Sequence, residues 1–462
     1  MIVFDCLKRF RQSKADILEV IMEKINGILI SSHVEVEELK NHINQTIKIH
    51  GMVYKIREMS GFAFVIIRTK RTLLQCVYSE EFSQFPLNEL KDNMSVVING
   101  QVISEERSRT GLEVRIISYE CLSRPAEEVP VVINNKEVVA SLETLLDYRP
   151  ATLRNAKERA IFQIQAGIGR SIRKFFDENK FVEIHSPKIV YSGAEGGANI
   201  FKLDYFGKEA YLTQSPQFYK QTMVGVFERI YEIAPVFRAE KHDTSRHVNE
   251  YISVDIEMGF IESFYDIMKM ETKMLSQVFD YLRENYAEEL KLLKVDIPVV
   301  TEIPIVTFDE AKEMVSKAYN RKITDFEDFE PEEERLLSEL IKKKTKCDFV
   351  FVSHYKASKR PFYTMNTSNN PQLTDSFDLI FRGVEITTGG QRIHDYHQQV
   401  QKMQSLGMNI EVFTGFLMAH KYGLPPHGGF GLGLERLTAK LLNFNNVRHA
   451  TLFPRDTTRL EP

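Results

Sequence analysis

The sequence predicts an α+β fold in two parts: a small five-stranded β-barrel, then a larger domain whose mainly antiparallel sheet is flanked by helices. The first observation is a hydrophobic period of two in five short runs between residues 44 and 123. The second is a series of strand-like runs from about residue 181 onward, mostly joined by short turns, which is typical of antiparallel sheets. The third is a pair of long amphipathic helical patterns, at 158–181 and 262–287, which would cover such a sheet.

The N-terminal strands are predicted from five segments of alternating hydrophobicity. These segments are TIKIHGMVYKI, GFAFVIIRT, TLLQCVYS, MSVVINGQVIS and EVRIISYECLS. Five strands in fewer than about a hundred residues indicate a small barrel, and the oligonucleotide-binding (OB) barrel is the commonest five-stranded type. Other small barrels also fit the pattern. We assign residues 41–130 to this domain.

The rest of the chain is divided by composition. Residues 1–40 are predicted to be a helical extension, either docked on the body or acting as an auxiliary RNA-binding arm. Its apolar residues at helical spacing are Ile17, Leu18, Ile21 and Ile25. Residues 131–152 are rich in Pro and Glu and indicate a hinge. Residues 153–462 form the larger domain, in which a charge-rich stretch near 320–346 is predicted to be a variable surface segment.

The overall composition excludes several classes of protein. The net charge is −4, from 60 basic and 64 acidic residues, so any contact with nucleic acid must use local patches rather than a basic coat. The four cysteines are far apart and predict neither a zinc site nor a disulfide framework. No apolar run is long enough to span a membrane, and the N-terminus lacks a secretory core, so we expect a cytoplasmic protein without a membrane partner.

The segment FRAEKHDTSRH, residues 237–247, places many charges between two apolar strand patterns. This pattern predicts a hairpin. Arg238 and Glu240 would share one face of the strand end, and His242, Arg246 and His247 add further donors. Cations gathered at one turn favour binding of a phosphate, since the planar guanidinium matches phosphate oxygens. A solvated turn is the alternative.

A glycine-rich stretch, GGFGLGLERL at 428–437, precedes a predicted helix. Glycines before a helix permit close approach of a phosphate, although this spacing matches neither a Walker loop nor a dinucleotide fingerprint. A tight strand–helix packing turn is the alternative. Arg436 favours the first interpretation, because a cation in the first helical turn opposes the helix dipole and needs an anionic partner.

A third segment, DLIFRGVEITTGGQRIHDY, supplies oxygen ligands for a hard cation. Asp378, Glu385 and Thr388 are close in sequence, and Mg²⁺ commonly joins one or two carboxylates to substrate phosphates. A structural salt bridge of these acids to Arg382 or Arg392 is the alternative. Together the three segments predict a nucleoside triphosphate site on an antiparallel sheet, without a Walker loop.

These three segments resemble the signature motifs of class II aminoacyl-tRNA synthetases. FVEIHSPKI resembles motif 1, with Pro187 at the proline of the family's dimer interface; FRAEKHDTSRH resembles motif 2, and GLGLERL motif 3. The resemblance extends from about residue 40 to the C-terminal LFPRDTTRLEP. The N-terminal barrel, GAEGGANIF and QSPQFYKQ make the chain similar to the aspartyl branch of archaeal and eukaryotic cytosolic type.

The resemblance implies a role for individual residues. It assigns ATP binding to Arg238, Glu240, His247, Tyr251, Glu385 and Arg436, with Arg238, Arg436 and Glu385 catalytic. It assigns aspartate binding to Glu195, Gln217, Lys220, Asp255 and Arg392. It assigns Mg²⁺ to Asp378, Glu385 and Thr388, and anticodon binding on the barrel to Phe64, Gln75 and Glu113. For Phe64, a place in the core of the barrel is the alternative.

The resemblance implies a homodimeric aspartate–tRNA ligase, which activates L-aspartate with ATP and transfers the aspartyl group to the 3′ end of tRNA-Asp. Asparagine would leave Lys220 and Arg392 buried without a counter-charge. This predicts that aspartate is preferred over asparagine by roughly a few hundredfold or more. Three alternatives stay open at this point: an asparaginyl ligase, a non-discriminating Asp/Asn ligase, and an RNA-binding protein that has lost aminoacylation.

Overall fold

The computed structural model describes residues 33–70, 72–108, 111–191, 199–241 and 244–462. Most of the predicted N-terminal extension, Glu195 and His242 therefore lie outside the described residues. The chain divides into two compact units, the first ending at Asn134 and the second running from Asn135 to Pro462. Within the described residues, no helix is both long and apolar enough to cross a membrane.

The first unit is built from the five strands that the alternation predicts. They are β1 (Thr46–Glu58), β2 (Ala63–Arg68), β3 (Leu73–Tyr78), β4 (Ser95–Ser104) and β5 (Leu112–Ser123). The sheet closes on itself in the order β1-β2-β3-β5-β4, because β1 pairs with both β2 and β4. Every second residue faces the interior; on β2 these are Ala63, Val65 and Ile67, all fully buried. The period of two in the sequence is thus the inside–outside alternation of a closed sheet.

The second unit contains thirteen further strands in the described residues. They are β6 (Val182–Glu183), β7 (Ile189–Val190), β8 (Lys202–Tyr205), β9 (Lys208–Leu212), β10 (Arg229–Phe237), β11 (Glu250–Gly259), β12 (Ile305–Thr307), β13 (Phe349–Ser353), β14 (Asn366–Thr367), β15 (Asn370–Thr374), β16 (Ser376–Phe381), β17 (Val384–Arg392) and β18 (His427–Gly433). Eight of them form one sheet in the order β12-β13-β16-β17-β18-β11-β10-β6.

This large sheet is mixed, although most of its strand pairings are antiparallel as expected. Its five inner pairings are antiparallel, but the outermost pairs β12–β13 and β10–β6 are parallel. Parallel neighbours need a crossover connection rather than a tight turn. The β12–β13 connection is the stretch that contains the predicted surface segment 320–346, and its two helices form that crossover.

The α-helices of the second unit cover the sheet. They are α1 (Leu142–Asp147), α2 (Arg149–Thr152), α3 (Ala156–Glu178), α4 (Gln217–Phe227), α5 (Phe264–Asn285), α6 (Ala287–Leu293), α7 (Phe308–Tyr319), α8 (Pro331–Thr345), α9 (Tyr396–Ser405), α10 (Thr414–Tyr422) and α11 (Leu434–Leu441). The long helices α3 and α5 correspond to the two amphipathic patterns of the sequence. The predicted hinge at 131–152 contains α1 and α2, and Arg149 of α2 is buried, where it donates to the carbonyls of Thr451 and Leu452.

Alternating residues of β13 show how the layers are arranged. Phe349 and Phe351 belong to the large core that α3 and α5 form with the sheet. Val350 and Val352 point the other way, into a second core with residues of α7 and α8 such as Leu337. Strand β13 is therefore covered on both faces. This explains why its sequence, FVFVS, is an almost continuous apolar run.

Candidate active site

A cavity of about 350 Å³ lies on the face of the large sheet opposite α3 and α5. On β11, Val254 and Ile256 face those helices, whereas Ser253 and Asp255 face the cavity. Eleven residues predicted for the site line it: Gln217, Lys220, Arg238, Glu240, His247, Tyr251, Asp255, Glu385, Thr388, Arg392 and Arg436. The structure thus places Arg238, Arg392 and Arg436, which are far apart in sequence, around one cavity.

The hairpin of β10 and β11 presents the first cation. The strands pair antiparallel up to Phe237 and Glu250, so the charged segment forms the connecting loop, as predicted. Asn249 donates from Nδ2 to the carbonyl oxygens of Arg238 (2.7 Å) and Glu240 (3.1 Å), which ties the two sides of the loop together. The guanidinium carbon of Arg238 lies 5.9 Å from the ring centroid of Tyr251.

His247 lies in a strongly positive part of the cavity. Its Nδ1 lies 2.6 Å from Thr244 Oγ1, and its Nε2 lies 3.6 Å from a carboxylate oxygen of Glu240. Burial lowers the pKa of His247, and the charges of Arg436, Arg246 and Arg238 lower it further although Glu240 opposes them. Three guanidinium groups therefore act on one imidazole, and an anionic ligand would relieve their mutual repulsion.

Strand β17 and the first turn of α11 form the opposite wall. Thr388 donates from Oγ1 to Glu385 Oε1 at 2.8 Å. Arg436, in the first turn of α11 as predicted, donates from Nη1 to the carbonyl oxygen of Glu385 at 3.1 Å, with the Glu385 carboxylate 3.9 Å away. Both side chains remain about one-third exposed, so they face the cavity and can reach a ligand.

Asp378 is placed differently from the other predicted metal ligands. It pairs across the sheet with Thr388, but its side chain is buried and accepts from Arg360 Nη2 at 2.8 Å. Arg360 was not recognised from the sequence, where the candidate partners were Arg382 and Arg392; those two pair with Asp348 and Glu257 instead. The residues that line the cavity do not include Asp378.

The oxygen ligands fit a hard cation only in part. The Glu385 carboxylate and the Thr388 hydroxyl face the cavity, and such oxygens suit Mg²⁺, which keeps several waters and binds substrate phosphates. Asp378 lies next to them in the sheet but is engaged by Arg360. No cluster of three or more His, Cys, Asp or Glu ligands occurs in the described part of the chain.

The floor of the cavity is a buried network of opposite charges. Lys220 of α4 lies 3.0 Å from Asp255 and 3.4 Å from Glu257, and it also donates to the carbonyl of Phe430. Arg392 of β17 donates to both carboxylate oxygens of Glu257, at 2.9 and 3.4 Å. All four ionisable side chains are at most about 7% exposed, so this part of the cavity holds two cations and two anions.

The comparison with known families decides the identity of this arrangement. Residues 141–457 match the family described as tRNA synthetases class II (D, K and N). The chain belongs to the class II aminoacyl-tRNA synthetases. The family predicted from motifs 1 to 3 is thus confirmed.

Relatives of this synthetase cover nearly its whole length. It is 44% identical over 431 residues to the aspartate–tRNA(Asp/Asn) ligase of Deinococcus radiodurans, covering 92% of this chain and 98% of that protein. It is 37% identical over 442 residues to the aspartate–tRNA(Asp) ligase of Pyrococcus horikoshii, covering 94% and 100%. The asparaginyl-tRNA synthetase of P. horikoshii complexed with asparaginyl-adenylate matches with a TM-score of 0.87 at 30% identity, covering 94% of this chain and 100% of that chain.

Glu257 is, with Arg360, a residue of the synthetase site that sequence reasoning missed. Burial alone would raise its pKa, but the charges of Arg392 and Lys220 outweigh burial and lower it, so the carboxylate stays ionised. Gly429 lies beside it, and a Cβ at that position would stand 2.0 Å from the carbonyl oxygen of Ile256 and 2.4 Å from Glu257 Oε2. The sequence did contain a signal for Glu257, because Asp255 and Glu257 are two residues apart and therefore lie on the same face of an otherwise apolar strand.

The network corrects the predicted reason for amino-acid specificity. We expected Lys220 and Arg392 to lack a counter-charge whenever the substrate has no side-chain carboxylate. In the synthetase structure, Asp255 and Glu257 already supply that charge. A neutral ligand would therefore not leave the two cations unpaired, and the full penalty of an isolated buried charge does not apply.

The three residues predicted on the N-terminal sheet share its outer face. Phe64 of β2 is half-buried, and its ring packs edge-to-face on Phe62 at 5.2 Å between centroids. Gln75 of β3 donates from Nε2 to Glu113 Oε1 of β5 at 2.8 Å. Because Val65 and Cys76 face the interior, Phe64 is not a core residue of the closed sheet.

Proposed function

We propose that this synthetase is an aspartate–tRNA ligase that makes aspartyl-adenylate and then aspartyl-tRNA. The observation that carries the proposal is the pair of buried cations, Lys220 and Arg392, in the same cavity as Arg238 and Arg436. One pair suits the side-chain carboxylate of an acidic amino acid, and the other suits a triphosphate. Homologues of the chain are named aspartate–tRNA ligases.

The first step is in-line attack of the aspartate α-carboxylate oxygen on the α-phosphorus of ATP. A new C–O–P linkage forms while the bond to the bridging oxygen breaks, and pyrophosphate leaves with that electron pair. The step needs little acid–base chemistry, so positioning is the main contribution, worth roughly 7–11 kcal/mol. Arg238 and Arg436 would neutralise the charge that develops on the phosphoryl oxygens.

The ATP site would use both walls of the cavity. Arg238 would bind the α-phosphate, and Glu240 would contact the adenylate region. His247, beside three guanidinium groups, would reach the outer phosphates. Tyr251 would stack beneath the adenine and Arg436 would cover its other face, which is consistent with their positions on β11 and α11 along the same cavity.

Mg²⁺ would be held by Glu385 and Thr388 together with ATP oxygens, with Asp378 in support behind them. When bound, the ion neutralises phosphate charge and orients the triphosphate. Glu385 is the residue for which the geometry is most favourable, since its Oε1 is already oriented by Thr388 and faces the cavity.

The aspartate side chain would be bound by Lys220 and Arg392, and its amine by Asp255 and Gln217. The amine would donate to Asp255 and to Gln217 Oε1, whereas the buried Gln217 Nε2, which has no hydrogen-bond partner in the described structure, would donate to a carboxylate oxygen of the substrate. Glu195, which lies outside the described residues, would close over the amino acid. Selection against asparagine would depend on hydrogen-bond direction, because both cations donate and a carboxamide nitrogen cannot accept.

The second step transfers the aspartyl group to the 3′-hydroxyl of the terminal adenosine of tRNA-Asp, with AMP as leaving group. The closed N-terminal sheet would be an OB barrel, and Phe64, Gln75 and Glu113 on its outer face would contact the anticodon. We further propose a cytoplasmic homodimer, with Pro187 of motif 1 at the interface.

Exchange between ATP and labelled pyrophosphate tests the function directly. We expect exchange that depends on aspartate and is far weaker with asparagine, measured with and without tRNA. Arg392→Leu should reduce aspartate-dependent exchange by more than about a hundredfold, because the carboxylate loses its fork and Glu257 loses its partner. Binding of a non-hydrolysable ATP analogue, measured by calorimetry, should survive in this variant. Aspartate activation retained by Arg392→Leu would contradict the assigned role.

A further inference from the structure

Arg246, in the loop between β10 and β11, is held by acceptors that lie outside that loop. Its Nη1 lies 2.8 Å from Glu334 Oε2 of α8. Its Nη2 donates to the carbonyl oxygens of Gly383, at 3.0 Å, and of Pro331, at 3.4 Å. The guanidinium is thus fixed between the start of α8 and the turn that joins β16 to β17.

Glu334 owes its position to the packing of α8 and not to the loop. The preceding residue, Glu333, forms a buried ion pair with Lys312 of α7 at 2.6 Å. Leu337 and Ile341, on the inner face of α8, are buried in the core shared with β13. The Glu334 side chain is only 13% exposed, so its carboxylate projects inward from a helix that the sheet holds in place.

The fixed end of Arg246 matters because its backbone belongs to the ATP-facing part of the loop. The carbonyl oxygen of Arg246 accepts from Arg436 Nε at 3.4 Å, and the next residue is His247. Both Arg246 and Arg436 line the cavity. Arg246 and Arg436 both act electrostatically on His247, so their positive charges would disfavour this arrangement of the loop without an acid to offset them.

We propose that Glu334 is a positioning residue for ATP, which holds Arg246 and thereby pre-organises the loop that meets the outer phosphates. The inference rests on the proposed assignment of this loop to the triphosphate. Because Glu334 would already hold Arg246 before ATP arrives, binding would not have to supply the cost of fixing this side chain. The stretch predicted as a variable surface segment is then a working part of the nucleotide site.

Charge on α8 alone does not explain the arrangement. Glu332 and Glu339, on the exposed face of the same helix, both pair with Arg335 and not with the loop. Glu339→Gln is therefore a matched control: it removes the same charge from the same helix without touching Arg246. Any effect specific to Glu334→Gln must come from the inward contact.

The test measures Michaelis constants in ATP–pyrophosphate exchange. We expect Glu334→Gln to raise KM for ATP about five- to twentyfold and to change KM for aspartate less than twofold. Glu339→Gln should match the unmodified protein in both. Glu334→Asp keeps the carboxylate but has a side chain one methylene shorter, so it should raise KM for ATP by a smaller factor. This variant replaces Glu334→Gln if Glu334→Gln does not fold.

A double-mutant cycle with Arg246→Ala completes the test. If Glu334 acts through Arg246, its loss should add less than a twofold effect once Arg246 has been removed. The inference is overturned if the two effects multiply, or if Glu334→Gln raises both Michaelis constants equally. Binding of a non-hydrolysable ATP analogue with Mg²⁺, measured by calorimetry, tests the inference in the absence of aspartate. If the unmodified protein shows no aspartate-dependent exchange, that result counts against the proposed function alone.

Discussion

At the scale of single residues, the floor of the cavity balances positive and negative charge. Lys220 and Arg392 are buried together with Asp255 and Glu257, and a buried ion requires such pairing because desolvation costs several kcal/mol per charge. The pocket is therefore stable before substrate binds. If Lys220 and Arg392 bind aspartate as proposed, its recognition would depend more on the direction of their hydrogen-bond donors than on their net charge.

Glu271 of α5 gives a prediction at the same scale. The residue is fully buried, and burial raises its pKa to about 8 from an ordinary value of 4.5. The folded protein keeps this proton over a pH range in which the unfolded chain has lost it. The free energy of unfolding should therefore be highest below pH 4.5 and fall as pH rises towards 8, by on the order of 3–5 kcal/mol from this group.

Glu271→Gln should remove this dependence, since an amide stays neutral throughout. Thermal unfolding at pH 5 and pH 8 would measure it: the variant should be more stable than the unmodified protein at pH 8. Glu284→Gln, on the exposed part of the same helix, is the control and should keep the original dependence. An equal loss of stability with pH in Glu271→Gln and in the unmodified protein would show that Glu271 is ionised in the fold.

At the scale of elements, one wall of the cavity depends on helices far from it in sequence. The crossover helices α7 and α8 cover β13 and bring Glu334 to the loop between β10 and β11. The two helices are joined by the pair Lys312–Glu333, and Lys312 also donates to the carbonyls of Asp325 and Asp328. This lysine therefore orders the connection between α7 and α8 as well as the helices.

Lys312→Met should destabilise the second unit by up to roughly 3–5 kcal/mol, because buried Glu333 loses its near partner and keeps only Arg321, 3.9 Å away. Lys312→Met combined with Glu333→Gln should lose less, since no charge then stays unpaired. Urea unfolding measures both, and Lys317→Met, at an exposed position of α7, serves as the control. A double variant as unstable as the single one would mean that the carbonyl contacts of Lys312, and not the ion pair, stabilise the connection.

At the scale of the whole molecule, the chain separates into a closed five-stranded sheet and a unit with the catalytic cavity. With the proposed site residues, activation of the amino acid would need only the second unit, whereas selection of tRNA would need both. The two activities can therefore be measured apart, as exchange without tRNA and as aminoacylation with it.

Phe64→Ala should separate these activities. Loss of one aromatic platform for a base costs about 1–3 kcal/mol, which predicts a KM for tRNA raised roughly 5- to 150-fold. ATP–pyrophosphate exchange without tRNA should stay unchanged. Leu122→Ala, at an exposed apolar position of β5, is the control and should leave both activities intact. An unchanged KM for tRNA in Phe64→Ala would remove this residue from the proposed anticodon surface.

The sequence by itself determined the elements and most of the cavity. The period of two, the two amphipathic helices and the three motifs led to the closed sheet, the large sheet and eleven residues that line one cavity. These are local signals: alternation follows from strand geometry, and a cation in a first helical turn needs an anion wherever the helix lies. The sequence also led to the synthetase family, through motifs that keep their spacing.

Only the tertiary structure decided which charges meet. It paired Asp378 with Arg360, Arg392 with Glu257, and Arg246 with Glu334, each across a long separation in sequence. It also made the outer strand pairs parallel, through the crossover helices α7 and α8 at one edge and through the segment that contains β7, β8, β9 and α4 at the other. Such choices depend on distances between segments that no local pattern contains, because an ion pair gains most of its energy only when folding has excluded water around it.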